Sequence, residues 1–302
     1  FAANPTAGMD WSDTALEANH RVMMQLQTMP EQLLSWNSPA SDIDAWMMAR
    51  LRQRVQQWTD AMDRFDLRRA VECSHYDMVK DINWYIRRGG GNVEVGREVL
   101  EAWTHMIAVA TPHLAEDWWS YLGGDGLLAA HTFAEMAPCS LEDQELLDGE
   151  ALLRDLLEQA RKVRSVAERH LDGEATSLTI VTAAPWRYEM AEMALEHLAK
   201  GDNVKSFMGI LTQADLAQGE HRGERLGFWN KRMLPQVFKW DDEKKRVLLS
   251  NLEETGVYRN STDFIATELG LDRVDVVHGE SDEDTTGKAG VAIPLSPAFI
   301  YA

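Results

Sequence analysis

Apolar residues spaced three and four apart commit most of this chain to amphipathic helix, and the densest case lies between Ile43 and Phe65. There Ile43, Met47, Leu51, Val55, Trp58, Met62 and Phe65 draw a single stripe, the period of a helix with one buried face. Ser41-Asp42 supplies the cap, and Asn37-Ser38-Pro39-Ala40 the break before it. A second stripe, Leu67, Val71, Ser74, Met78, Ile82 and Tyr85, runs from the cap Asp66 to Gly89-Gly90-Gly91, where a helix should end. Arg87 and Arg88 fall in its last turn, which the helix dipole makes favourable for cations.

The same grammar holds on either side. A helix opens at the cap Ser12 and runs to about Trp36 with Leu16, Met23 and Leu26 inward. Val95, Val99, Trp103, Met106 and Ala110 share another face, and Leu114 to Leu122 forms a short helix. Ser140-Leu141-Glu142-Asp143 has capping-box spacing with Asp in third place. It begins a long helix to about Leu171, with Leu153, Leu156, Ala160, Val163 and Ala167 inward. At Asp172-Gly173-Glu174 the pattern changes. Ser177 to Ala183 is a short β-rich run, followed by helical stretches 186–199, 204–218, 223–238 and 241–257 and a further one capped by Ser261. A strand-like run follows at 273–277, and 291–301 contains another. The expected fold is mainly α: a helical bundle over residues 1–173, then a small α+β domain over 174–302.

Composition narrows the function. No apolar run of eighteen residues exists, so no membrane span is expected. Phe1-Ala2-Ala3-Asn4-Pro5 lacks a basic n-region and reads as a cut into a longer chain. Two distant cysteines, Cys73 and Cys139, exclude a disulfide framework and suit a reduced cytoplasm. The nine histidines show no His-Glu-x-x-His spacing, and no nucleophile with a partnered base or pair of carboxylates stands out. Gly89-Gly90-Gly91 follows a helix instead of a strand, so it is a linker and not a phosphate loop. The net charge of −19 opposes nucleic-acid binding through a basic stripe. Arg, however, outnumbers Lys, and Arg is the better partner for phosphate and for base stacking. An acidic, Lys-poor surface also suits a halophilic organism, in which charge keeps the protein hydrated. Arg50 and Arg54 lie one turn apart beside the stripe that begins at Ile43; either a solvated or salt-bridged face or a phosphate contact fits them.

Asp66-Leu67-Arg68-Arg69-Ala70-Val71, then Ile86-Arg87-Arg88-Gly89-Gly90, then Pro112-His113-Leu114-Ala115-Glu116, resembles the helical bundle after the catalytic domain of class I aminoacyl-tRNA synthetases. Within them the ending Pro294-Leu295-Ser296-Pro297-Ala298-Phe299-Ile300-Tyr301 is similar to that of the archaeal-type leucyl enzymes. The resemblance implies a region that binds tRNA(Leu), with its long variable arm, and positions it for a catalytic domain of the same chain. Positioning of that kind contributes several kcal/mol to a reaction. It implies a monomer in which Arg87 and Arg88 contact the tRNA backbone and Phe299, Ile300 and Tyr301 read the variable arm. A final core strand is the other reading of those three residues. Trp186-Arg187-Tyr188 also resembles the family, with Arg187 facing either solvent or phosphate. The His-Ile-Gly-His and Lys-Met-Ser-Lys-Ser types of ATP signature are missing. This fragment is therefore expected to hold no catalytic centre and no cofactor, with ATP and Mg belonging to the absent catalytic domain. Two alternatives remain: a stand-alone acidic helical protein-interaction module, or the same region of an isoleucyl, valyl or methionyl enzyme.

Overall fold

A computed structural model describes residues 12–133, 136–169, 173–201, 204–214, 222–237, 239–250, 252–279 and 290–302. The acidic stretch 280–284 lies outside the described residues. The chain divides into two compact units, 1–147 and 148–302. That division falls inside the long helix which the sequence places whole in the first domain. No described helix is long and apolar enough to cross a membrane.

The first unit is helical: α1 (Asp13–Leu34), α2 (Asp42–Asp63), α3 (Leu67–Val71), a π-helical turn (Glu72–Asp77), α4 (Met78–Arg87), α5 (Val93–Ala108), α6 (Pro112–Tyr121) and the first turns of α7 (Leu141–Ala167). The expected caps are in place. The Ser12 hydroxyl accepts from Ala15 N, and the Asp66 carboxylate accepts from Arg69 N at 3.1 Å. Ser140 and Asp143 cap one another reciprocally, at 2.9 and 3.0 Å. Met47, Leu51, Ile82, Tyr85 and Trp103 are buried as expected, with the Trp103 and Trp118 rings packed edge to face at 5.0 Å.

Three details differ from the stripe reading. Leu16 is half exposed. The helix from Leu67 to Arg87 widens into a π-turn at its middle, where the Trp103 indole donates to the Ser74 carbonyl at 2.5 Å. A side chain inserted at such a turn takes the place of a regular backbone partner. Phe65 leaves its stripe altogether, 86% exposed with φ 57°. Asp66 N donates to Ala61 O and Phe65 N to Met62 O, the two bonds of a Schellman ending that requires a left-handed residue at this position. α4 closes with the same pair of bonds on Gly89 at φ 88°. Glycine adopts that conformation freely, whereas a phenylalanine is strained there.

The second unit contains the rest of α7, β1 (Ser177–Thr182), α8 (Pro185–Ala199), α9 (Val204–Leu211), α10 (Arg222–Phe228), a π-helical turn (Trp229–Met233) and α11 (Leu234–Val237). These are followed by α12 (Asp242–Leu248), α13 (Glu254–Arg259), α14 (Thr262–Leu269), β2 (Arg273–His278) and β3 (Ala298–Tyr301). The sheet order is β2-β1-β3, with β1 parallel to β2 and antiparallel to β3. β1 is the central strand, and Leu178, Ile180 and Val181 are buried. The helix expected over 241–257 is two helices. The Ser250 hydroxyl donates to Val247 O and accepts from Leu252 N, giving the backbone a local alternative to continued helix. The strand expected within 291–301 is β3, its last four residues; Pro294 and Pro297 have no N–H to offer a ladder further back.

Candidate nucleic-acid interface

The end of α4 carries two of the expected contacts, Arg87 and Arg88. Beneath them Tyr85 donates to Asp44 Oδ1 at 2.5 Å and its oxygen accepts from Asn92 N at 3.2 Å, while the Asn92 amide donates to Asp44 Oδ2 at 3.0 Å. This knot fastens the last turn of α4 to the start of α2 and of α5. Burial opposes the Asp44 charge, but hydrogen bonds from Tyr85, Ser41 and Asn92 outweigh it and hold the carboxyl below its usual range. Burial, reinforced by Asp44, pushes the Tyr85 hydroxyl up to about 12. A Cβ on Gly90 would collide with the Tyr85 ring, so the glycine turn is a packing requirement. Above this rigid base Arg87 is exposed, its guanidinium 5.3 Å from the Trp84 ring centroid. Arg88 is half-buried at the cap position.

Arg50 and Arg54 do not join them. Arg54 donates through Nε to Asp81 Oδ2 at 2.6 Å and through Nη1 to Asp77 Oδ2 at 3.1 Å. Asp81 is 1% exposed and Asp77 is also held by Arg69 at 3.1 Å. Burial works against the Arg54 charge, but Asp81 and Asp77 more than compensate and raise its pKa. Arg50 bonds Gln53 at 2.5 Å, lies 3.8 Å from Asp81, and stacks over Trp46. The salt-bridged alternative is the one the structure has for both arginines, because two carboxylates taken out of water need cations beside them.

In the second unit Arg187 is 4% exposed. It donates to the Ala292 carbonyl and lies 3.9 Å from the Phe228 ring centroid, so it faces neither solvent nor phosphate. Tyr301 is buried and donates to Ala160 O at 2.7 Å, with burial raising its hydroxyl to about 12. Ile300 packs against Val181, Ala292 and Ala298. Phe299, paired with Ile180, is half-buried on the same strand. Most of β3 therefore serves as a core strand, and of its two aromatic residues Phe299 is the more accessible. One further charge feature escapes motif reading: residues 222–239 hold five of the chain's 30 basic residues and one of its 49 acidic ones. A running charge count along the sequence finds it.

Residues 44–179, which include the capped, arginine-bearing α4, are similar to the anticodon-binding domain of tRNA ligase. Over most of its length the chain is similar to archaeal leucyl-tRNA synthetases. It is 30% identical to the leucine–tRNA ligase of Methanocaldococcus jannaschii over 259 residues, 86% of this chain and 25% of that protein. The enzyme of Pyrococcus furiosus is 27% identical over 87% of this chain and 25% of its own length. That of Methanothrix thermoacetophila is 26% identical over 98% of this chain and 30% of its own. The chain thus spans about a quarter of the length of the relatives it matches.

Proposed function

We propose that this chain is the tRNA-binding region of a leucyl-tRNA synthetase. It works as a monomer in a salt-rich cytoplasm, holding tRNA(Leu) by its body and long variable arm. A catalytic domain of the same enzyme, which handles ATP and magnesium, joins leucine to the acceptor end. The observation that carries this reading is the anticodon-binding match over residues 44–179, supported by leucine enzymes as relatives over nearly the whole chain. Arg87 and Arg88 are the backbone contacts of the helical unit: a rigid helix end presents them, so little ordering is needed when phosphate binds. Phe299 is the variable-arm contact of the second unit, since a stacked base is worth about 1–3 kcal/mol.

A gel-shift titration in high potassium chloride, comparing a long-variable-arm tRNA with a short-arm one, tests the reading. Retention of the long-arm tRNA at the lower protein concentration is expected. Equal retention of both would end the leucine assignment, and retention of neither would favour a protein-interaction module.

A further inference from the structure

The segment from α10 to α11 and the turn after it, residues 222–239, carry five basic residues against one acidic in this acidic chain. Trp229, Met233 and Val237 are buried at steps of four along it, which anchors the helix in the second unit. Facing out between and beyond them are Arg222, Asn230, Lys231, Arg232, Gln236 and Lys239, all exposed. The single acidic residue, Glu224, lies at the far end from Lys231, Arg232 and Lys239.

Several other basic side chains of the molecule spend their charge internally. Arg52, Arg54, Arg69, Arg161 and Arg246 each meet a carboxylate within 4.0 Å. Arg222, Lys231, Arg232 and Lys239 meet none among the described residues. In a chain of net charge −19, carboxylates are abundant, so exposed cations left without them along one segment mark a surface for an external anion. That anion must be extended and multiply charged, since the charges run along the helix and do not converge on a pocket. A nucleic-acid backbone has this form, and neutralising it releases counterions.

We propose that the outer face of α10–α11 and the turn beyond it, through Lys231, Arg232 and Lys239, is a second tRNA-binding surface that grips the phosphate backbone of a helical arm without reading its bases. This rests on the tRNA-binding reading above and adds to it a grip that the variable-arm residues do not supply. Phosphate contacts fix position and carry no sequence information. The face therefore contributes equally to every tRNA, and discrimination stays with the end of the chain.

The test is the affinity of the 302-residue chain for long-arm and short-arm tRNA across a salt series, with Lys231→Ala/Arg232→Ala/Lys239→Ala beside the wild type. The slope of log K against log salt should shrink by roughly 2–3 for the triple variant, since each neutralised phosphate accounts for about 0.7–0.9 of it. The ratio between the two tRNAs should not change. Lys231→Arg/Lys239→Arg should keep the wild-type slope, and circular dichroism should show all variants folded. Wild-type binding with an unaltered slope in the triple variant would overturn the inference and leave the tRNA reading intact. A reduced slope in the Lys→Arg variant would make the role structural, and a change of oligomeric state with unaltered RNA affinity would make the face a protein-docking surface; either overturns it. Failure of the wild type to bind any tRNA would remove the reading and this inference together.

Discussion

The two units differ in how they satisfy their most deeply buried carboxyls. The helical unit buries full charges in compensating sets, with Arg54 and Arg69 against Asp77 and Asp81, and keeps one histidine neutral. His75 is fully buried between Ser74, at 2.8 Å, and Thr111, at 3.2 Å, and burial pushes its pKa down to about 4. The α+β unit has a charge pair of that kind, Asp148 with Arg246, but also buries a carboxyl held by neutral donors. Glu254 accepts from Tyr188 at 2.6 Å and from Leu295 N at 2.9 Å. Burial raises its pKa more than those bonds and Tyr258 lower it. The bonds tie α8 and α13 to the segment before β3. A helical bundle places cation and anion one or two turns apart on neighbouring helices. The small sheet instead gathers chain segments from distant positions, and neutral hydrogen bonds to one carboxyl satisfy them at lower desolvation cost.

Breaking a charge set should have the largest effect. Asp81→Ala leaves Arg54 buried with half its partners, and should destabilise the helical unit by about 3–5 kcal/mol in urea titrations. A change below about 1 kcal/mol, the range of exposed ion pairs, would mean that water, not Asp81, carries that charge.

Next comes pH, which should separate the units. The His75 pKa is depressed, so the unfolded chain takes up the proton first, and stability present above pH 6.5 is lost as pH falls toward 4. The magnitude is about 3 kcal/mol, from roughly 2.5 pKa units. The Glu254 pKa is raised, so the folded state binds the proton more tightly. That contribution is complete below pH 4.5 and fades as pH rises through the folded value. Hydrogen exchange resolved by unit should show the helical unit weakening in acid and Glu254→Gln flattening the opposite trend in the other. Parallel trends in both units would refute the contrast.

A smaller effect concerns the two Schellman endings. Phe65→Gly should raise stability by about 1 kcal/mol, since it relieves a left-handed residue that buries almost nothing, and Gly89→Ala should lower it by a similar amount. Thermal melts of both variants give the comparison, and a destabilised Phe65→Gly would show that the ring packs in solution. Least of all, Arg87→Ala/Arg88→Ala should change stability by no more than about 0.5 kcal/mol while weakening tRNA retention in a gel shift. A large fall in melting temperature would make these residues structural.

The helices, most of their caps and the change to a sheet-containing unit were decided locally. A stripe at three and four, an Asp or Ser before it and a glycine after it act within a few residues, and so Asp66, Ser140–Asp143 and Gly89 did in the structure what their spacing implies. The order of elements, with strands at 177–182, 273–278 and 298–301, is legible for the same reason. The exposure of any one polar side chain is not. Arg54 and Arg87 both follow an apolar stripe on a helix, yet one sits between Asp77 and Asp81 and the other points to solvent. Only the packing of α2 on α4 separates them. Tyr301 and Arg187 reach Ala160 and Ala292, 141 and 105 residues away, so their burial depends on which distant segments meet. The sequence determines where a helix or strand begins and ends because those terms are local. Which charges are satisfied inside, and which remain for a partner, is a long-range balance of desolvation against pairing that exists only once the tertiary structure has formed.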